Sequence, residues 1–214
     1  MKQKEVWDNV GEEWHKYRQH PVNEAMDFLK NKKGLVLDLA CGSGRNFIKM
    51  EGKLIGTDFS ERMLGFARKN AKKNQLDVIL VKADALDLPF ADDTFDAILF
   101  SSALHTIKWN RRKKVLEEVR RVSKDGAGVY ISVWNRDQPR FARADKESCI
   151  PWTVKGRTYK RYYYLYSNDE LESLLKKYFK GVKVFGSSER AFKKYPKNII
   201  ALARVAKSGQ RRKA

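Results

Sequence analysis

Three carboxylates and two glycines set out the chemistry open to this chain. Asp38, Asp58 and Asp84 each end an apolar run or follow one by two to four residues. In an open parallel sheet such positions fall at the carboxyl ends of strands, where ligands bind. After the first acid comes Ala40-Cys41-Gly42-Ser43-Gly44, a run of small residues. A strand turning sharply into a helix needs such residues, because a ligand can then approach bare backbone N–H groups. Asp58 stands twenty residues after Asp38. In nucleoside-binding α/β folds an acid there takes both ribose hydroxyls, since one carboxylate accepts two hydrogen bonds. The dinucleotide fingerprint is weakened, because Phe47 stands where a third glycine belongs. A phosphate loop is excluded, since no Gly-Lys-Ser/Thr follows.

The elements that must position these residues alternate between strand and helix. Residues 35–37, 53–58, 77–81 and 97–100 are short apolar runs, as expected of buried parallel strands. Residues 129–133 add a fifth strand, entered through Gly126 and Gly128. Residues 182–185 and 198–205 are expected to form an antiparallel pair at the sheet edge. Val22, Ala25, Met26 and Leu29 mark a helix that Gly34 stops. Ser60 caps another, with Glu61 in its first turn and Met63, Phe66 and Ala67 on its buried face. Residues 111–124 read as a basic amphipathic helix with Val115, Val119 and Val122 inward. Ser167-x-x-Glu170 is a capping box. It opens a helix with Leu171, Leu174, Leu175, Tyr178 and Phe179 inward, closed by Gly181. At the start of the chain, Trp7, Val10, Trp14 and Tyr17 recur at helical spacing up to Pro21. That helix either packs aromatics onto the domain or forms a lid that points Arg18 and His20 into a pocket.

Residues 135–166 break the alternation and read as an insertion. Between residues 140 and 161 seven basic side chains face only Asp145 and Glu147, with Phe141, Trp152 and Tyr159 interleaved. The expected organisation is one domain over residues 1–206, with 135–166 as its substrate-binding insertion. A basic tail, residues 207–214, follows.

Composition bounds the partners. The chain of 214 residues has 42% hydrophobic and 33% charged residues, enough for a globular core. Its net charge of +19 points to a polyanion, most plausibly nucleic acid. No run reaches the length of a membrane span and no signal peptide opens the chain. Cys41 and Cys149 suggest neither a disulfide framework nor a zinc site, and fit a cytoplasmic location.

An acid just before Gly-x-Gly resembles the first motif of class I methyltransferases. That resemblance implies S-adenosylmethionine as cofactor. Asp38 would face its methionine part, with Ala40, Gly42 and Gly44 offering backbone. Asp58 would bind the ribose, with Phe59, Ser60 and Met63 beside it. Asp84 and Ala85 would meet the adenine, and Tyr17 and Ser101 would complete the cofactor site. The turn 101–107, which contains His105, then lies beside the methyl group.

Absences narrow the acceptor. Pyrimidine C5 methylation needs a cysteine nucleophile near the fourth strand, and neither cysteine is there. Exocyclic-amine methylation usually comes with an Asn/Asp-Pro-Pro-aromatic turn, but Ser101-Ser102-Ala103-Leu104 stands in that place. A metal-assisted catechol mechanism would want clustered acidic ligands around the pocket. His105 with arginines and tyrosines suits an oxygen acceptor, including one already anionic. A carboxylate needs no general base, only alignment, and an arginine fork matches it.

The chain further resembles the tRNA methyltransferases that esterify 5-carboxymethyluridine at the wobble position. The resemblance runs from Trp7 to about residue 175. It rests on Tyr17-Arg18…Pro21, residues 38–44, Asp84…Leu88-Pro89-Phe90 and Ala103-Leu104-His105. Ile150-Pro151-Trp152 and Arg161-Tyr162-Tyr163-Tyr164-Leu165-Tyr166 complete it. That family commonly has His where Tyr164 stands. The resemblance implies an α/β, doubly wound Rossmann-like sheet of seven strands with the last antiparallel. It also implies tRNA as substrate and a small zinc-ribbon activator subunit as partner. On this reading Arg18 and Arg161 hold the carboxylate, while His105 and Tyr162 seat the base. A small-molecule O-methyltransferase and a non-catalytic nucleotide- or RNA-binding domain are the alternatives on the same fold.

Overall fold

The computed structural model describes residues 3–191 and 195–207. Two helices open the chain, α1 (Gln3–Tyr17) and α2 (Asn23–Lys30). Then come β1 (Leu35–Leu39), β2 (Lys53–Asp58), α3 (Glu61–Lys73), β3 (Val78–Lys82) and β4 (Phe95–Ser101). α4 (Trp109–Val122) runs directly into β5 (Ser123–Trp134). The hairpin β6 (Glu147–Val154) and β7 (Arg157–Tyr164) precedes α5 (Asn168–Leu175) and β8 (Lys180–Gly186). A two-residue pair, β9 (Arg190–Ala191) and β10 (Tyr195–Pro196), leads to β11 (Asn198–Arg204). The basic tail expected at residues 207–214 lies outside the described residues beyond Lys207.

The main sheet has seven strands in the order β3-β2-β1-β4-β5-β11-β8. β1 to β5 pair in parallel, and β11 runs antiparallel to both β5 and β8. β8 therefore forms the edge and β11 lies inside it. Strand order reverses between β1 and β4, so a crevice opens at their carboxyl ends. Both faces are apolar, as parallel strands require. Val36, Leu54, Ala97 and Leu99 pack toward α2 and α3 residues such as Leu29, Leu64 and Ala67. Leu37, Leu39, Ile98 and Phe100 pack toward Val115, Val119, Leu171 and Leu175 of α4 and α5.

The insertion between β5 and α5 holds a β-hairpin. Its turn, Lys155-Gly156, has positive φ at both residues (48° and 76°), the I′ form that suits strand twist. α1 packs across this hairpin. Val6 and Val10 bury against Tyr159, and Trp7 and Trp14 join Trp134, Phe141, Tyr163 and Leu165. Helix and hairpin together roof the crevice. α5 stops at Leu175, short of Gly181, and Gly181 (φ 59°) instead falls at the start of β8.

The loop before β4 is held by Arg121, which pairs with Glu118 (2.9 Å) and with Asp92 of the loop (3.0 Å). Glu118, buried on α4, accepts from Leu88 N (2.8 Å) and from Arg121 Nε and Nη2 (2.9 Å each). Arg121 also donates to the carbonyls of Leu88 and Phe90. Hydrogen bonding to Arg121 is the main force that pulls the Glu118 carboxyl down to about 2. Its stabilisation is present above the unfolded value of 4.5 and is lost as pH falls toward 2. Glu118→Gln should cost about 2 kcal/mol at pH 7. The gap to wild type should shrink in urea titrations repeated in acid.

Candidate active site

The crevice collects residues from the ends of β1, β2 and β4 and from α1. Ala40, Gly42, Asp58, Phe59, Met63 and Ser101 line it, together with Trp7, Trp14 and Arg18 from the roof. Ala40 (φ 56°), Gly42 (φ 57°) and Gly44 (φ 76°) turn the chain out of β1. The two glycines serve different ends. A Cβ on Gly42 would meet nothing within 4 Å, whereas on Gly44 it would lie 2.4 Å from the Phe47 ring. Phe47, in the place of a third glycine, is buried beneath the turn.

Asp58 ties the turn to α3. Its Oδ2 accepts from Gly42 N (3.0 Å) and its Oδ1 from Ser60 N (2.9 Å). Ser60 caps α3 through Met63 N (3.2 Å) and donates its hydroxyl to Asp8 of α1 (2.5 Å). Each Asp58 oxygen keeps a lone pair for a further donor, which a diol supplies. Burial pushes this carboxyl up to about 6, against its backbone hydrogen bonds. Asp38 is 1% exposed, and its Oδ2 has no partner among the described residues. Burial raises it to about 8, opposed by Arg45. A buried, unsatisfied carboxyl beside a second acid fits a cationic ligand that carries a diol. S-adenosylmethionine is such a ligand, and when bound it supplies an electrophilic methyl group. Asp58 at the cavity wall would hold the diol, with the Gly42 backbone open beside it, and Asp38, buried behind the wall, would face the positive charge.

The remaining cofactor expectations divide. Ser101 faces the crevice beside Ser132 (Oγ to Oγ 3.3 Å). Ser60 and Gly44 act behind the wall. Asp84 is exposed and turns Oδ1 onto Leu86 N (3.0 Å), and neither it nor Ala85 lines the crevice. Tyr17 is 70% exposed and sits edge-on to Trp152 at 5.4 Å, outside the cavity wall.

Toward the hairpin the site becomes cationic and aromatic. Arg18 lines the cavity with its guanidinium 4.8 Å from the Trp14 ring. Arg161 lies one layer behind, 2% exposed, with Trp152 at 4.6 Å, Trp14 at 5.0 Å and Tyr163 at 5.2 Å. It donates to Tyr163 Oη at 2.9 Å. Arg140 covers Trp134 and Phe141 at 4.5 and 4.4 Å. Arg45 donates to Ser102 Oγ at 3.1 Å. Among the described residues arginine salt bridges belong to Arg62 and Arg121, and Arg18, Arg45, Arg140 and Arg161 form none. His105 is buried against the stacked Trp134 and Tyr163 rings, at 5.4 and 5.3 Å from each. Burial, then the surrounding arginines, hold it well below its ordinary value, so it is neutral.

Tyr162 is not brought to this cluster. Its hydroxyl donates to Glu147 (2.7 Å) and accepts from Arg112 (3.3 Å) on the opposite face of β7. Strand alternation puts Arg161 and Tyr163 together, so Tyr163 takes the position expected of Tyr162. His20 is exposed and does not line the cavity. Arg45, Arg140 and Tyr163 are the residues that sequence reasoning missed. Period two counted from Arg161 was the available signal for Tyr163.

The sheet order and the turn after β1 define the class I fold of S-adenosylmethionine-dependent methyltransferases. A family profile described as a methyltransferase domain matches residues 36–126. A candidate methyltransferase of Encephalitozoon cuniculi is 31% identical over 179 residues, which cover 78% of this chain and 81% of that protein. The chain belongs to this methyltransferase family. A mouse protein named as a probable tRNA methyltransferase 9B is 27% identical over 69% of this chain but 32% of its own length. A Nostoc punctiforme 2-phytyl-1,4-naphtoquinone methyltransferase is 33% identical over 65% of this chain and 64% of its own. One solved structure with the same fold is a Haloferax volcanii methyltransferase candidate in complex with the Trm112 methyltransferase activator. It has a TM-score of 0.71 and 17% identity, covering 98% of this chain and all of that one. No described helix is long and apolar enough to cross a membrane.

Both carboxyls sit above their ordinary value of 3.8. The free protein therefore loses stability as pH rises from 3.8 through about 6 and about 8. A bound cation favours the charged forms, so cofactor affinity should rise over that range and binding at neutral pH should release protons. Calorimetry in buffers of different ionisation enthalpy measures both. Asp38→Asn should flatten the profile near pH 8, and Asp58→Ala should weaken binding by roughly tens-fold while the domain stays folded.

Proposed function

We propose that the chain is a tRNA methyltransferase that esterifies the carboxylate of 5-carboxymethyluridine at the wobble position. One observation carries this reading: Arg18, Arg45, Arg140 and Arg161 gather around the crevice, and none of them forms a salt bridge among the described residues. Such a cluster repels itself and favours an anion between its members. A carboxylate is already ionised at neutral pH, so the acceptor oxygen needs no general base. Arg18, at the cavity wall, holds one carboxylate edge with its planar fork. Arg161 and Arg140 add positive potential from behind the tryptophans. Neutral His105 and Tyr163 form a rigid stack that limits where a base can sit.

The net charge of +19 and the basic hairpin suit an RNA substrate. The likeness to tRNA methyltransferase 9B supports the same choice. β3 supports an activator partner. It is an edge strand with Ile79 50% exposed, and a protein subunit can cover such an edge by adding a strand. The likeness to the Trm112-bound methyltransferase supports an activator partner. Co-expression with a Trm112-type subunit should raise solubility and turnover. A lone chain that stays monomeric, soluble and fully active would remove the partner.

A small-molecule O-methyltransferase is the competing reading, supported by the likeness to the naphtoquinone enzyme. Labelled S-adenosylmethionine incubated with total tRNA separates the two, and digestion identifies the labelled nucleoside. Label on the methyl ester of 5-carboxymethyluridine is the expected result. Arg18→Lys keeps the charge but loses the fork, so its single-turnover rate at saturating tRNA should fall by roughly a hundredfold. A phosphate-only Arg18 would instead leave that rate near wild type and weaken only tRNA affinity.

A further inference from the structure

The hairpin has two faces, and the crevice uses one of them. On the other, a groove of about 570 Å³ lies between the start of α4, the outer face of β7 and α5. That volume is typical of pockets for small ligands. Trp109, 65% exposed, stands at its rim. Arg112 lies 5% exposed at its wall, its guanidinium stacked 3.9 Å from the Tyr164 ring. Arg112 is locked by bonds from Nε to Ile107 O (3.0 Å) and from Nη2 to Tyr162 Oη. Tyr166, 2% exposed, also lines the groove, and its hydroxyl has no partner among the described residues.

The charges favour an anion. Lys177 and Lys113 line the groove near the surface, Lys113 in a long exposed pair with Glu117 (3.8 Å). Of the two acids there, Glu147 accepts from Tyr162, and Glu170 is taken up by the capping box and Lys146. α4 begins without a side-chain cap and without an acid in its first turn, so its positive end is unscreened. The groove also adjoins the crevice along the chain. Thr106 lines the crevice, and Trp109 follows three residues later.

We propose that this groove is a second nucleotide subsite. It takes an unpaired RNA nucleotide, with the base stacked on Trp109, the phosphate beside Lys113 and Lys177, and Tyr166 Oη bonded to a polar edge. An RNA strand that places one nucleotide in the crevice can seat a neighbour here. An acidic peptide would engage the lysines but leave Trp109 and the Tyr166 hydroxyl unused. The inference rests on the RNA reading above.

The test uses the full chain, without cofactor, and fluorescently labelled decauridylate. Trp109→Ala should weaken binding about tenfold, while Trp109→Phe keeps most of the affinity. Binding should quench tryptophan emission in the wild type, and much of that quench should vanish in Trp109→Phe. Replacing Lys113 and Lys177 together by alanine should lower the salt slope by about 1.4. Cofactor affinity should stay at the wild-type value in every variant. Decauridylate binding indifferent to Trp109→Ala overturns the subsite, as does equal displacement by polyglutamate without a change in Trp109 emission. The two readings fail separately. Label on another acceptor with Trp109-dependent RNA binding intact removes the wobble activity and leaves the subsite. Wobble methylation with Trp109-indifferent binding does the reverse.

Discussion

The structure depends on what the Asp58 carboxylate joins. One oxygen holds the Gly42 N–H and the other the Ser60 N–H, so the turn after β1 and the start of α3 share one anchor. Ser60 passes the link to Asp8 and thus to α1, the roof of the crevice. The anchor sits in low dielectric, which raises its proton affinity to about 6 and makes the charged form costly. Two backbone donors offset part of that cost. Ligand geometry and roof position are therefore coupled through a single side chain rather than through separate contacts.

A second constraint is the company that the arginines keep. Arg161 and Arg140 are desolvated, and aromatic faces rather than carboxylates compensate them. Cation–π contacts are worth up to about 2 kcal/mol when desolvated, and they leave the positive charge in place. The cluster thus stays under-neutralised while remaining well packed. Trp134 and Tyr163 stack at 4.2 Å and 7°, which fixes the floor under His105. Rigidity comes from rings, and positive potential from guanidinium groups that those rings do not neutralise.

Much of the sheet was legible because buried parallel strands are apolar runs, and β1 to β4 depart from the expected spans by only a residue or two at most boundaries. β5 begins earlier than the glycines suggest. α4 flows straight into it, with Ser123 Oγ bonded to Val119 O at the junction. The insertion was legible as charge and aromaticity but not as a hairpin. Its Lys155-Gly156 turn lacks the Asn or Asp that usually marks the I′ form, and β7 is buried on both faces near Arg161. That double burial also hid the choice between Tyr162 and Tyr163. Arg45 could not be read at all, since its partner Ser102 lies across the crevice on the connection after β4. Asp84 was expected in the cofactor site from its place after a strand. In the structure its own turn takes one of its oxygens, with Leu86 N donating to Oδ1.

The division of labour along the chain has a historical meaning. The cofactor side comes from residues 36–101, inside the segment that the methyltransferase-domain profile covers. The cationic and aromatic side comes mostly from α1 and the hairpin, outside that segment. Drift in those two pieces can redirect the enzyme to a new acceptor while leaving the inherited donor machinery untouched.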